Sequence, residues 1–259
     1  MGAGTLGIER IEAHFRGQAF SPHRHDTYGI GITLAGVQTF RYRGEQRYCR
    51  PGQCHILHPD ETHDGGPATE EGFGYRIVHI DPSLVQAALG GKPLPFVANP
   101  VSEASALSKD FASAVLDIDD EIDDVGRIEV AVTMADMLVA ASSGRAGMPG
   151  SLDLAPLRRA RDLIAAEPAE RHSMAVLERV TGLDRWTLAR QFRTAFGTSP
   201  SRYRTMRQLD LIRQSLEGGA SLAEAAVMAG FADQSHMTRR FKAGYGLTPA
   251  RWASALSGA

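Results

Sequence analysis

Seven of the nine histidines lie before residue 80, and three of them have a spacing that chemistry can use. His23 and His25 form a His-x-His pair, and His63 closes a Pro59-x3-His63 step. Three imidazoles of this kind could hold Zn²⁺ or Fe²⁺ with a coordination position left open. The plainer reading is that they line a pocket or satisfy strand ends by hydrogen bonding.

A second chemistry lies at the other end of the chain. The net charge of −2 is small, but residues 101–150 carry 3 cations against 10 acids, whereas residues 151–259 carry 16 against 10. Fifteen of those 16 cations are arginines. Such asymmetry separates a basic part that could meet a polyanion from an N-terminal part with different work, although arginines on solvated helix faces would give the same count.

The elements that must carry these residues follow from periodicity. Ile30–Leu34, Val37–Tyr42, Cys54–Leu57 and Phe73–Ile80 are short β-branched and aromatic runs separated by Gly, Pro, Asn and Asp, which predicts a small β-sandwich or barrel over residues 1–100. Leu107, Phe111, Val115, Ile118 and Ile122, then Ile128, Val132, Ala135 and Val139, recur at helical spacing and predict two amphipathic helices within residues 101–142, a natural dimerisation surface. Residues 143–153 read as a linker, and residues 154–259 as nearly all helical.

The helical part contains a repeat. Gly182 corresponds to Gly230, and after a one-residue insertion Leu188 corresponds to Met237, Arg190 to Arg239, Phe192 to Phe241, Gly197 to Gly246 and Pro200 to Pro249. In each copy a Ser (Ser173, Ser221) opens a helix and a Gly closes it. An apolar anchor and a second helix follow, which is a helix-turn-helix grammar. The second helix of each pair would enter a major groove. Arg185, Trp186 and Arg190 of the first copy, and Gln234, Ser235, His236 and Arg239 of the second, are the candidate base contacts, since Arg pairs bidentately with guanine and Gln with adenine. Arg193, Arg202, Arg204, Arg207 and Lys242 are the candidate phosphate contacts. A joining helix near 201–216 would be about 24 Å long, a strut fit to place two probes in successive turns of a duplex.

The stretch from Ser173 to Trp252 resembles the DNA-binding domain of AraC/XylS-type transcription regulators. The residues that carry the likeness are Gly182-Leu, Trp186-x-Leu-x-Arg-x-Phe192, Phe196-Gly-x-Ser-Pro200, Ala225-x3-Gly-Phe231 and Met237-x-Arg-x-Phe-Lys-x2-Tyr-Gly-x-Thr-Pro249. The resemblance implies a seven-helix domain with two helix-turn-helices, bacterial origin and binding to double-stranded promoter DNA, usually as an activator that meets RNA polymerase. Ala189 stands where some relatives carry a polar base reader. Gly17-x5-His23-x-His25-x10-Gly36 likewise resembles the first cupin motif, and Pro59-x3-His63 a loose second one. In metal-binding cupins a Glu follows the His pair by four or five positions, where this chain has Gly29 and Ile30. The expectation is therefore no cofactor and a barrel that takes a small-molecule effector, with His23, His25, Tyr28, Arg41, His63 and His79 as candidate pocket residues.

The fold expected is an α+β two-domain chain: a cupin-like barrel with a helical pair, then an all-α domain with two helix-turn-helix motifs. Two cysteines are too few for a disulfide framework, and no secretion signal or apolar spanning run is visible, so a reducing cytoplasm is expected. The function expected is a small-molecule-responsive, sequence-specific DNA-binding regulator, as a homodimer and not an enzyme. The rivals are a metal-dependent cupin enzyme on His23, His25 and His63, and a DNA-binding protein indifferent to any effector.

Overall fold

A computed structural model describes residues 7–17, 19–118, 121–142 and 152–257. The expected linker therefore lies mostly outside the described residues. The N-terminal strands are β1 (Ile8–Phe15), β2 (Phe20–His23), β3 (Tyr28–Gly36), β4 (Gln38–Tyr42), β5 (Glu45–Cys49), β6 (Gln53–Leu57), β7 (His63–Pro67), β8 (Phe73–Ile80) and β9 (Val101–Glu103). They pair as two antiparallel sheets, ordered β1-β8-β3-β6-β9 and β2-β7-β4-β5, and no closed barrel ladder joins them among the described residues.

Period-two alternation gives the larger sheet two buried faces. Ile30, Ile32, Val78 and Ile80 point to a helical layer of α1 (Pro82–Ala88), α2 (Lys109–Leu116) and α3 (Asp124–Ala141), meeting Val85, Phe111, Val115, Met134 and Leu138. The opposite face looks into the space between the sheets, where rings dominate. Gly29 and Gly31 sit on that face because rings occupy the volume a side chain would need. A Cβ on Gly31 would lie 2.3 Å from Cε1 of His55, and one on Gly29 would touch His25 and His79.

Helix α3 divides its predicted stripe between two faces. Val130, Ala131, Met134, Ala135 and Leu138 are buried, whereas Ile128, Val132 and Val139, which the spacing groups with Ala135 on one apolar stripe, are exposed together with Val125. The helix is apolar on two faces, and simple spacing cannot choose between them.

The second domain comprises α4 (Leu154–Ala166), α5 (Met174–Thr181), α6 (Arg185–Phe196), α7 (Pro200–Glu217), α8 (Leu222–Met228), α9 (Gln234–Tyr245) and α10 (Pro249–Ser257). Two cores divide it at the repeat. Leu157, Ile164, Leu177, Leu188, Phe192 and Phe196 form the first, and Leu209, Ile212, Ala225, Met237, Phe241 and Trp252 the second. Helix α7 belongs to both, giving Tyr203 to the first core and Met206, Leu209 and Ile212 to the second. Its 18 residues make a strut about 27 Å long.

Candidate nucleic-acid interface

The two reading helices are built alike. Asp184 caps α6 by accepting from the backbone N–H groups of Trp186 (3.0 Å) and Thr187 (3.1 Å), and Asp233 caps α9 by accepting from His236 (2.6 Å). Each helix ends on a left-handed glycine, Gly197 at φ 71° and Gly246 at φ 72°. The preceding helices start on Ser173 and Ser221, the latter with Glu224 completing a capping box.

With Leu188/Phe192 and Met237/Phe241 buried, the remaining faces are fixed by helical geometry. Trp186 is 76% exposed, an indole that the fold itself does not use. Arg190, Gln234, Ser235 and Arg239 are exposed as expected. Arg185 is exposed as well, and its Nε and Nη2 donate to Glu178 at 3.1 Å each, a surface pair that ties α6 to α5. His236 is half-buried, its ring edge-on to Phe231, and its Nε2 accepts from Nε of Arg240 at 3.3 Å.

Between the two units runs a groove of about 1060 Å³ that gathers Arg193, Arg202, Arg204, His236 and Arg240. Four residues expected to touch DNA thus meet in one place, although not all are uncommitted. Arg204 donates to the carbonyls of Glu170 and Ala169, and Arg202 pairs with Asp60 at 2.9 Å. Lys242 is exposed on the last turn of α9, outside the groove lining.

Arg207, expected to meet a phosphate, is engaged by carboxylates of the protein itself. It lies where α7 meets the N-terminal domain, donating through Nη2 to Asp26 at 3.1 and 3.3 Å and pairing with Asp210 at 3.1 Å. Asp26 is almost fully buried. Burial pushes its carboxyl up to about 6, with the Arg207 charge opposing that rise. Further along α7, Arg213 makes a two-point bond to Glu9 of β1 and lies over the rings of Tyr245 (5.2 Å) and Trp252 (5.3 Å). Burial pushes the Glu9 carboxyl up, but its bond to Arg213 and the charge there outweigh this and hold it below its ordinary value. Glu9, Asp26 and Asp60 thus face Arg213, Arg207 and Arg202 across the domain boundary.

The boundary also reaches the ends of both reading helices. A Cβ on Gly197 would meet Pro59 at 2.7 Å, and one on Gly246 would meet Nδ1 of His23 at 2.8 Å. Backbone N–H groups of Ser21 and Arg24 donate to the carbonyls of Gly246 (3.1 Å) and Ala243 (3.2 Å) at the end of α9. These carbonyls have no partner within their own helix.

Behind β2 the inter-sheet space is packed with imidazoles. Ring centroids are 4.3 Å apart for His23–His63, 4.8 Å for His25–His63 and 4.7 Å for His25–His79. Burial lowers all of them, His23 and His55 down to about 4, and so keeps them neutral. His23, His25 and His63 each bond through Nδ1 to a backbone carbonyl, of Ser21, Thr27 and Glu61. Nε2 of His25 is buried without a hydrogen-bond partner. Among the described residues no group of three or more His, Cys, Asp or Glu is arranged to hold an ion.

The other two expected pocket residues lie outside the inter-sheet cluster. Tyr28 faces the helical layer, its hydroxyl donating to the carbonyl of Pro95 at 3.3 Å. Arg41 alternates outward from Phe40 and Tyr42 and, with Arg43 and His63, lines an open cleft of about 470 Å³. Glu9, Asp26, Asp60 and Arg213 were not singled out in the sequence, because partners 181 and 204 positions apart leave no local signature.

Paired helix-turn-helix units with exposed reading faces, joined to a β-sandwich that grips the ends of both reading helices, define a ligand-regulated class of DNA-binding transcription factors. Residues 5–130 match the AraC-like ligand binding domain and residues 177–255 a helix-turn-helix domain, and the chain belongs to the AraC-type transcription regulators. It is 26% identical over 237 residues to the uncharacterized HTH-type transcriptional regulator YbfI of Bacillus subtilis (strain 168), covering 88% of this chain and 86% of that one. Its fold is similar to unsaturated-fatty-acid-bound ToxT from Vibrio cholerae strain SCE256 (TM-score 0.70, 11% identity, 100% of this chain and 99% of that one). The ToxT structure from Vibrio cholerae O395 gives a TM-score of 0.68 at 11% identity, over 98% and 99% of the two chains.

Proposed function

We propose that Trp186, Arg190, Gln234, Ser235 and Arg239 read bases in two successive major-groove segments, while Arg193, Lys242 and the groove between the units take backbone phosphates. The observation that supports this most directly is the 76% exposure of Trp186 at the start of a capped, arginine-bearing helix, matched by the exposed face of α9 one strut-length away. Selection of bound duplexes from a random pool by the full chain tests it. The expected product is a two-part site with half-sites about one helical turn apart. Recovery of random sequence would reject the reading.

The N-terminal domain acts as the effector arm. A small molecule that moves β2 or the 58–64 loop would move the ends of α9 and α6 with it, because Gly246 and Gly197 rest on those segments. A coupling of about 1–3 kcal/mol is enough to change DNA affinity roughly 5–150-fold. ToxT has been solved with an unsaturated fatty acid bound, which favours a similar kind of responsiveness here. The open cleft lined by Arg41, Arg43 and His63 has a size suited to a small ligand. The chain works as a regulator rather than an enzyme, without a metal, in the cytoplasm, and as an activator it would meet RNA polymerase.

The second copy sits on α3. Val125, Ile128, Val132 and Val139 give that helix an outward apolar face that the domain itself does not cover. Ile128→Glu is expected to convert a dimer to a monomer in sedimentation, with folding kept because Ile128 is 61% exposed.

A further inference from the structure

The groove between the reading units is not made by the DNA-binding domain alone. Arg24 and Asp60, both from the N-terminal domain, stand in its wall. Arg24 is fixed to the other domain through its backbone: its N–H donates to Ala243 on α9, and its carbonyl accepts from Nη2 of Arg202 on α7. Its side chain is nevertheless 47% exposed, and its Nε is 3.7 Å from Asp60 Oδ1, too long for a committed hydrogen bond. An arginine of the effector domain is thus mounted on a reading helix with its charge left available.

The charge of the groove is unbalanced. Asp60 is the single carboxylate among lining residues that include Arg24, Arg171, Arg193, Arg202, Arg204 and Arg240. The Asp60 side chain is only 9% exposed and stands 2.9 Å from Nε of Arg202, so it occupies the position an incoming anion would take. Burial lowers the pKa of Arg202, and repulsion from Arg24 and Arg240 lowers it further against the pull of Asp60. A concave site with excess positive charge concentrates anions more strongly than a flat one.

We propose that Arg24 of the effector domain is a DNA-backbone contact, holding a phosphodiester in this groove alongside Arg202 and Arg240, with Asp60 as the built-in competitor that the phosphate displaces. The proposal rests on the DNA reading above and adds a partner surface to the domain that would otherwise only sense. It makes domain docking part of DNA affinity: chains with the effector domain docked hold one more phosphate than chains with it released.

The test is the salt dependence of duplex binding by the full chain. Each neutralised phosphate contributes about −0.9 to the slope of log K against log salt. Arg24→Ala should reduce the slope by about one, Arg24→Lys should restore most of it, and Asp60→Asn should tighten binding. Arg50→Ala, on a turn that lines no part of the groove, should leave the slope unchanged. An unchanged slope in Arg24→Ala with an unshifted melting temperature overturns the proposal. So does a slope loss in Arg24→Lys equal to that in Arg24→Ala, which would mark a packing role. Saturation of the site by submillimolar inorganic phosphate at fixed ionic strength would assign it to a free anion and also overturn it. Failure of the parent chain to bind duplex at all is a different outcome and rejects the DNA reading itself.

Discussion

Nδ1 of His23 lies 2.8 Å from the place a Cβ on Gly246 would occupy, so the end of the second reading helix rests directly on the histidine cluster of the effector domain. Gly197 makes the equivalent approach to Pro59 at the end of the first reading helix. Both probes end on the same body, and a displacement of that body reaches both.

Gly246→Ala should therefore do more than strain one residue. A non-glycine residue in the left-handed region costs about 1–3 kcal/mol, and here the added methyl group would also collide with His23. Gly182 has φ 72° but nothing within 4 Å of its missing Cβ, so Gly182→Ala carries the backbone cost alone. The expected result is a smaller loss of unfolding stability at Gly182 and a larger one at Gly246, with faster protease cleavage between the domains only for Gly246→Ala. Equal behaviour of the two variants would mean that the contact carries no coupling.

Asp26→Ala removes the partner of a guanidinium that is 22% exposed and leaves Asp210 as its remaining carboxylate. Breaking one side of a buried pair commonly costs about 3–5 kcal/mol because the surviving charge stays desolvated. Denaturant unfolding of the full chain should show a loss near the low end of that range. Arg207→Ala should weaken domain docking as well, without the local slope change expected of a phosphate contact.

Acid should destabilise the effector domain. Burial holds His23, His55 and His58 down to about 4, and lowers His25, His63 and His79 as well. The unfolded chain takes up these protons near pH 6.5, whereas in the folded chain all six are held off to lower pH, His23, His55 and His58 until about pH 4. Stability present above pH 6.5 is therefore lost as pH falls through that window, at about 1.4 kcal/mol per unit for each proton. Asp26 acts in the opposite sense: its raised carboxyl contributes stability that is full below its ordinary 3.8 and is lost as pH rises through about 6. One carboxyl against six imidazoles leaves a net loss in acid. Urea midpoints that stay constant between pH 7.5 and pH 5 would contradict the burial of the cluster.

Trp186→Ala should lower DNA affinity with little change in melting temperature, because the indole is 76% exposed and contributes little to the first core. Arg239→Ala should cost about 1–3 kcal/mol and relax preference at one base pair if it reads guanine. Footprinting on a selected site distinguishes this from uniform weakening across all sequences, which would make Arg239 a phosphate contact.

Much of the DNA-binding half is legible in order of residues. Ser173, Gly182, Gly197, Ser221, Gly230 and Gly246 act on backbone conformation within a few positions of themselves, and all six hold the cap or turn geometry their types demand. The buried stripes at Leu188/Phe192 and Met237/Phe241 follow from one period. Asp184 and Asp233 occupy equivalent places in the repeat and could have been recognised as helix caps from that alone. Helix α3 was legible as a helix but not in its orientation, since both of its faces are apolar and only the shape of the neighbouring sheet selects one.

By itself the chain of residues determined the two units, their capped reading helices and the strand-rich arm, because these depend on interactions across one to five positions. Only the tertiary structure decided which arginines remain available to a polyanion. Arg190 and Arg239 stay exposed, whereas Arg185, Arg202, Arg207 and Arg213 pair with Glu178, Asp60, Asp26 and Glu9, the first at the open surface and the second in the groove where a phosphate would compete with Asp60. Three of those four pairings join different domains. A guanidinium presents the same chemistry to a carboxylate as to a phosphate, and which of the two it meets is set by where the chain folds back.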